Sequence, residues 1–202
     1  MKNFIEDLDV KGHLQITKVF TDGHQEVVFD DHNIIVSGMG LGLSYLFSLS
    51  GSQNILDYQI DRFQIGVSGS PASEVSSTYE LVGPLSASEY GENALLYVLE
   101  GYHARNSQYY QGPESYGYIP PHKVSKVGER SVRYTITLDK DSCNGLNRDG
   151  SDMNLNEIGL FMKNPLGSKL ALDNSVLVAY RYFSGIEKTE DFSLVFRWTI
   201  NW

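Results

Sequence analysis

From Phe192 to Trp202 (FSLVFRWTINW) large and polar residues alternate: Phe192, Leu194, Phe196, Trp198 and Ile200 fall on one side of an extended backbone, and Ser193, Val195, Arg197, Thr199 and Asn201 on the other. A period of two with the bulk on one face predicts a half-buried strand. Glu129–Leu138 (ERSVRYTITL), Leu155–Met162 (LNEIGLFM) and Val176–Phe183 (VLVAYRYF) are rich in β-branched and aromatic residues and predict further strands. The final strand is expected to lock its end of the chain into a sheet.

The N-terminal part carries a second β-type signal. Gly12–Phe20 and Gln25–Phe29 flank Thr21-Asp22-Gly23-His24, and Asp-Gly between two such runs predicts a hairpin because Gly accepts positive φ. Ile34–Val36 is read as finishing a strand. Ser37 is placed to cap a helix over Met39–Leu49, with Leu41, Tyr45, Leu46 and Leu49 on its apolar face. Gln59–Val67 reads as the next strand and Ser68–Ser77 as a loop. Leu81-Val82-Gly83-Pro84-Leu85 reads as a short edge segment, since proline cannot donate to a central ladder. Ala94–Leu99 is apolar throughout and is assigned to a strand. The spacing holds no fixed repeat and no heptad.

Charge and cysteine usage narrow the function classes. The 202 residues carry a formal net charge of −9, and no run of Lys and Arg offsets it, so a phosphate-backbone ligand is not expected. The single cysteine, Cys143, leaves no internal disulfide, and packing alone must hold the fold. The apolar run Ile34–Leu49 is broken by Ser and Gly and falls short of the roughly 20 residues a membrane helix needs. Acids stand in MKNFIEDLDVKG where an export signal would have its apolar stretch, so none is expected.

Candidate chemistry is sparse. Gly38-Met39-Gly40-Leu41-Gly42 lies between a strand and a helix, but it lacks Gly-Lys-Ser/Thr and the G-x-G-x-x-G spacing; it reads as a tight turn that packs helix on sheet, with no nucleotide. Asp139, Asp141, Asn144, Asn147, Asp149 and Asp152 gather oxygen ligands of the kind calcium takes. Gly145 falls one position late for an EF-hand, and a loop of Asx turns is the plainer reading. The five histidines show no zinc spacing, although His24 and His32 flank one hairpin and could approach. No G-x-S-x-G elbow exists. Cys143 sits among acids that would raise its pKa, which makes it a poor nucleophile. No catalytic residue, cofactor or metal is therefore assigned.

The segment 100–128 has a different character. Tyr102, Tyr109, Tyr110, Tyr116 and Tyr118 alternate with Gly, Ser, Gln and Pro. Tyrosine supplies a rigid apolar face and a hydroxyl at low entropic cost, and long loops in compact domains tend to be functional, so these five are taken as an interaction surface.

Three signatures stand in order along the chain: Asn33–Gly38 leading into a helix; Gln64–Gly69 followed by a Pro-containing loop and Leu81; and Asn156-Glu157-Ile158-Gly159-Leu160-Phe161 followed by Ala179–Arg181, Ile186-Glu187-Lys188-Thr189 and an aromatic strand through Trp198. Over roughly 25–70 and 150–202 the chain resembles small β-rich structural proteins of tailed bacteriophages, found among tail, baseplate and neck or collar components. Residues 86–128 have no counterpart in that pattern. The resemblance implies that the Asn-Glu-Ile-Gly-Leu-Phe and Ile-x-Lys-Thr segments are fold elements. Ile158, Leu160 and Ala179 would face inward, and Gly159 would allow close strand approach. Lys188 would pair with an acid across a sheet edge or subunit boundary, or else stand in solvent.

The expectation is a mainly β protein: one antiparallel β-sandwich domain over residues 1–202, with one packed α-helix and the Tyr-rich segment 100–128 inserted as a long loop. Its implied role is that of a non-enzymatic virion component in the tail, baseplate or neck, assembled in the host cytoplasm. It would contact other virion proteins and copies of itself in a cyclic homo-oligomer, with no nucleic acid and no membrane. The alternative is a receptor- or glycan-binding module of a tail or fibre that stacks its tyrosines on sugar faces. A hydrolase using scattered carboxylates is the third and weakest reading.

Overall fold

Asp22-Gly23 forms the turn its sequence demands, with Gly23 at φ +90°, and it joins β1 (Lys11–Phe20) to β2 (Gln25–Ile35). The computed structural model describes residues 10–48, 50–85, 97–98, 102–103, 117–144, 154–167 and 175–202. β2 is one continuous strand across Asp30–Asn33, where the sequence predicts a break between two shorter ones. Its first part pairs with β1 up to Asn33, and Ile34 and Ile35 pair with a different strand. One long strand thereby serves both halves of the sheet.

Helix α1 spans Ser37–Ser48, so Ser37 is its first residue rather than a cap two positions ahead. The buried residues are Met39 and Gly42, with Leu43 partly covered, whereas Leu41 is exposed. The apolar face expected from Leu41 and Tyr45 is displaced because two glycines choose the contact. A Cβ on Gly38 would collide with the Leu177 carbonyl, and one on Gly42 would press on Met162. A side-chain-free surface permits the closest approach, so the helix turns that surface to the sheet.

The remaining strands are β3 (Ile60–Gly66), β4 (Tyr97–Val98), β5 (Tyr102–His103), β6 (Gly117–Tyr118), β7 (Val124–Gly128), β8 (Ser131–Leu138), β9 (Leu155–Met162), β10 (Val176–Ile186) and β11 (Phe192–Asn201). β4 and β5 form a small hairpin of their own. The other nine make one curled antiparallel sheet in the order β6-β3-β9-β10-β2-β1-β11-β8-β7. The two outermost strands, β6 and β7, are neighbours in sequence, linked by residues 119–123. The end of the segment expected to be a loop therefore supplies both edges of the sheet. Leu81–Leu85 does lie at an edge: Val67 donates to the Gly83 carbonyl at 3.0 Å and Leu85 to that of Ile65 at 2.8 Å.

One apolar cluster draws on strands far apart in the sheet order. It holds Leu14 and Ile16 of β1, Phe196 and Trp198 of β11, Ile136 of β8, Phe63 of β3, Ile158 and Leu160 of β9, and Ala179 and Phe183 of β10. Phe183 and Phe196 face each other with centroids 6.3 Å apart. A second, smaller cluster of Val36, Leu81, Tyr118, Phe161, Leu177 and Tyr180 lies on the opposite face of β9 and β10. Among the described residues no helix is long and apolar enough to cross a membrane.

Candidate functional site

Of the tyrosines proposed for contact, Tyr109, Tyr110 and Tyr116 lie outside the described residues. For Tyr102 only the backbone is described, in β5, where Val98 is its partner. Tyr118 is buried at 9% exposure, with its backbone opposite Arg62 at the β6 edge. It lines a cavity of about 440 Å³ together with Tyr58, Asp61, Val124, Tyr134 and Trp202. This cavity sits where the two edges of the sheet come together, with Met39 and Leu43 of α1 forming one wall. Burial pushes the Tyr134 phenol up to about 12. Asp61, the extra residue where the β3–β9 register shifts, has its carboxyl raised by burial. Arg62 Nε donates to it at 2.9 Å and opposes that rise.

Lys188 does not stand in solvent, and among the described residues its ammonium pairs with no acid. It is 2% exposed, and its ammonium donates to Asn144 Oδ1 at 2.8 Å, the Thr189 carbonyl at 2.8 Å and the Lys140 carbonyl at 3.3 Å, 5.3 Å above the Phe192 ring. Burial lowers its pKa to about 8, while Cys143, Asp139 and the other nearby acids pull it back up. The 139–144 loop thus wraps its oxygens around an internal cation. Asp139 Oδ1 spends its lone pairs on the Asp141 amide and the Ser142 hydroxyl, both at 2.9 Å, in Asx fashion. Cys143 belongs to this loop with φ 59° and is buried. Its thiol is pushed up to about 12, chiefly by burial, with Asp139 adding and Lys188 opposing. The sequence points to the neighbouring acids as the cause, but desolvation outweighs them.

The residues that sequence reasoning passed over as chemistry are the acid of the Asn-Glu-Ile-Gly segment and its partners. Glu157 is fully buried and accepts from the Gly83 amide at 2.7 Å, the Val82 amide at 3.0 Å and the Tyr180 hydroxyl at 2.8 Å. Ser73 Oγ lies 2.8 Å from the same hydroxyl. Burial and the Glu157 carboxylate together hold the Tyr180 phenol far above its ordinary range. Beside it, Asn156 acts as a strand would: its Oδ1 accepts from the Gly69 amide at 3.0 Å and its Nδ2 donates to the Gly69 carbonyl at 3.1 Å. Arg181 completes the set, donating to Glu74 at 3.1 Å and Asp31 at 2.8 Å over the face of Phe29. Glu74 in turn accepts from the Tyr182 amide at 2.8 Å. Asn156, Glu157, Tyr180 and Arg181 thus tie residues 67–85 to β9 and β10, and Arg181 also reaches β2 through Asp31. Gly159 belongs to this outer face as well. A Cβ there would meet the Leu177 side chain of the neighbouring β10 and the Leu81 side chain of the covering segment, so its bareness makes room for both.

The histidine pair is His13 and His32, opposite each other across β1 and β2 with rings 5.9 Å apart edge to face. His24 stacks on Phe20 instead. The longer β2 moves His32 away from the turn that holds His24. Among the described residues no group of three His, Cys, Asp or Glu is gathered as a metal set. Comparison with protein-family models, curated proteins and solved structures returned no match.

Proposed function

We propose that this protein is a non-enzymatic structural component of a tailed bacteriophage particle, a block of the tail, baseplate or neck that works through subunit contacts. The observation that carries the reading is the fate of the polar residues in the two C-terminal signatures. Asn156, Glu157 and Lys188 are all buried or half-buried, and their hydrogen bonds stay within this chain: Asn156 and Glu157 hold the 67–85 segment against the sheet, Glu157 also joins β9 to β10 through Tyr180, and Lys188 ties its own loop to the 139–144 loop. Residues used in this way are fold elements, which is the role that the resemblance implies for them. In the same reading the curled sheet acts as a two-layer sandwich. β2 turns the corner between the layers, and the large apolar cluster fills the space between them. Labelling with an antibody raised against the chain should decorate purified particles of the phage that encodes it at a fixed place; particles without label would sink the proposal.

A second reading, a glycan-binding module, has the aromatic lining of the 440 Å³ cavity in its favour. Sugars that stack there should quench Trp202 fluorescence saturably, and a glycan panel without any such response would remove it.

A further inference from the structure

From Asn33 to Leu56 the sequence contains no Asp, Glu, Lys, Arg or His, in a chain whose net charge is −9. The structure lays this uncharged stretch along one flank. Phe47 of α1 is 74% exposed, Ile55 64% and Leu56 51%, while Leu41 and Leu166 are also exposed. Tyr79, 75% exposed, joins them through a depression that it lines with Leu41 and Ser44 of α1. Those six side chains expose on the order of 700 Å², close to the roughly 800 Å² that each partner of a stable complex buries. Glu80 beside Tyr79 and Asp57 beside Leu56 stand at the margin of this surface, and apolar patches of this size with so little charge mark contact surfaces rather than ordinary solvent-facing protein.

We infer that this flank is a contact between two copies of the chain, with α1 packed against its counterpart about a twofold axis. The inference rests on the building-block reading above and names the surface through which the block first associates. Charge selects the partner. Two acidic copies repel over most of their surfaces and meet at least electrostatic cost where charge is sparsest, whereas a basic partner would be drawn to the acidic remainder. A twofold contact also buries the same patch on both sides, so no exposed Phe47 is left over.

The test is sedimentation of the full chain over a rising concentration series. A monomer–dimer equilibrium is expected, and Phe47→Asp and Ile55→Asp should each weaken it about tenfold or more. Val27→Asp, at an exposed position on β2 away from the flank, should leave it unchanged. Ser44→Cys should form an intermolecular disulfide readily, with the native Cys143 silent because it is buried. Thermal melts of the variants, all at exposed sites, should match the parent. A monomer at every concentration, or a dimer indifferent to Phe47 and Ile55, would overturn the inference. Either result with antibody-labelled particles would leave the building-block reading standing, whereas a flank-dependent dimer absent from particles would remove that reading alone.

Discussion

The two halves of the sheet are stabilised by different means. Around β11, burial alternates without a break from Phe192 to Asn201. Trp198 stands between Leu14 of β1 and Tyr134 of β8, all three buried. Here apolar area does the holding, one face packed and the other wet. Around β9, seven of eight residues are buried, on both faces. The inner face joins the main core, but the outer face lies under the 67–85 segment, which is pinned by a carboxylate, an amide and a phenol. The first arrangement tolerates any large apolar residue of fitting shape. The second depends on individual donors and acceptors, because a buried polar group that loses its partner costs its full desolvation.

The largest effect should come from the first region. Trp198→Ala is expected to cost about 3–5 kcal/mol of global stability, read as a lowered urea midpoint. Among the described residues Trp198 Nε1 is buried without a partner, so Trp198→Phe should lose much less. In the second region Glu157→Ala should cost about 2–4 kcal/mol, because two amides and a phenol lose their acceptor. Its mark is local: hydrogen exchange at Val82 and Gly83 should quicken before that of the β11 amides. If both sets quicken together, the distinction between the two regions fails. Gly38→Ala should follow at about 2 kcal/mol, since the new methyl meets the Leu177 carbonyl and the helix must lift from β10.

The pH dependence sharpens the comparison in the Lys188 loop. Lys188 has its pKa near 8 when folded and 10.5 as an ordinary lysine. Between those values the unfolded chain binds the extra proton, so stability should rise with pH, by at most about 1.4 kcal/mol per unit. Cys143 acts in the opposite sense. Its thiol ionises near 9 when unfolded and near 12 when folded, so stability should fall across that interval. Denaturation curves should therefore show a gain from about pH 8 to 9 that Lys188→Met abolishes, a near-level stretch from 9 to 10.5 where the two oppose each other and which Cys143→Ala turns into a continued gain, and a loss above 10.5 that Cys143→Ala reduces. Smallest of all is Asp31→Asn, which removes a half-exposed partner of Arg181. It should cost no more than about 0.5 kcal/mol and do so only at low salt.

The same contrast explains what could be read from the sequence. The β11 strand, the Asp-Gly hairpin and the β9 and β10 runs announce themselves through periodicity and turn chemistry, both of which are local. The helix was legible as a helix, but its contact face was not, because Gly38 and Gly42 set it by what they lack. Glu157 could have been noticed as an acid inside LNEIGLFM, where an exposed position in a continuous apolar run is improbable. Its partners, Val82, Gly83 and Tyr180, lie 75, 74 and 23 residues away, and no local pattern encodes such distances. Lys188 is similar: its three acceptors come from two loops that meet only in the folded chain.

The link between β6 and β7, residues 119–123, acts as a clasp on a hoop. Because the strands it joins are the last at either side, the hoop has only short free margins, and Pro120 and Pro121 within the clasp have no amide to offer an incoming strand. Strand-by-strand accretion into fibres is thereby discouraged at the seam, and association between molecules is left to side chains, where a single residue change can tune it.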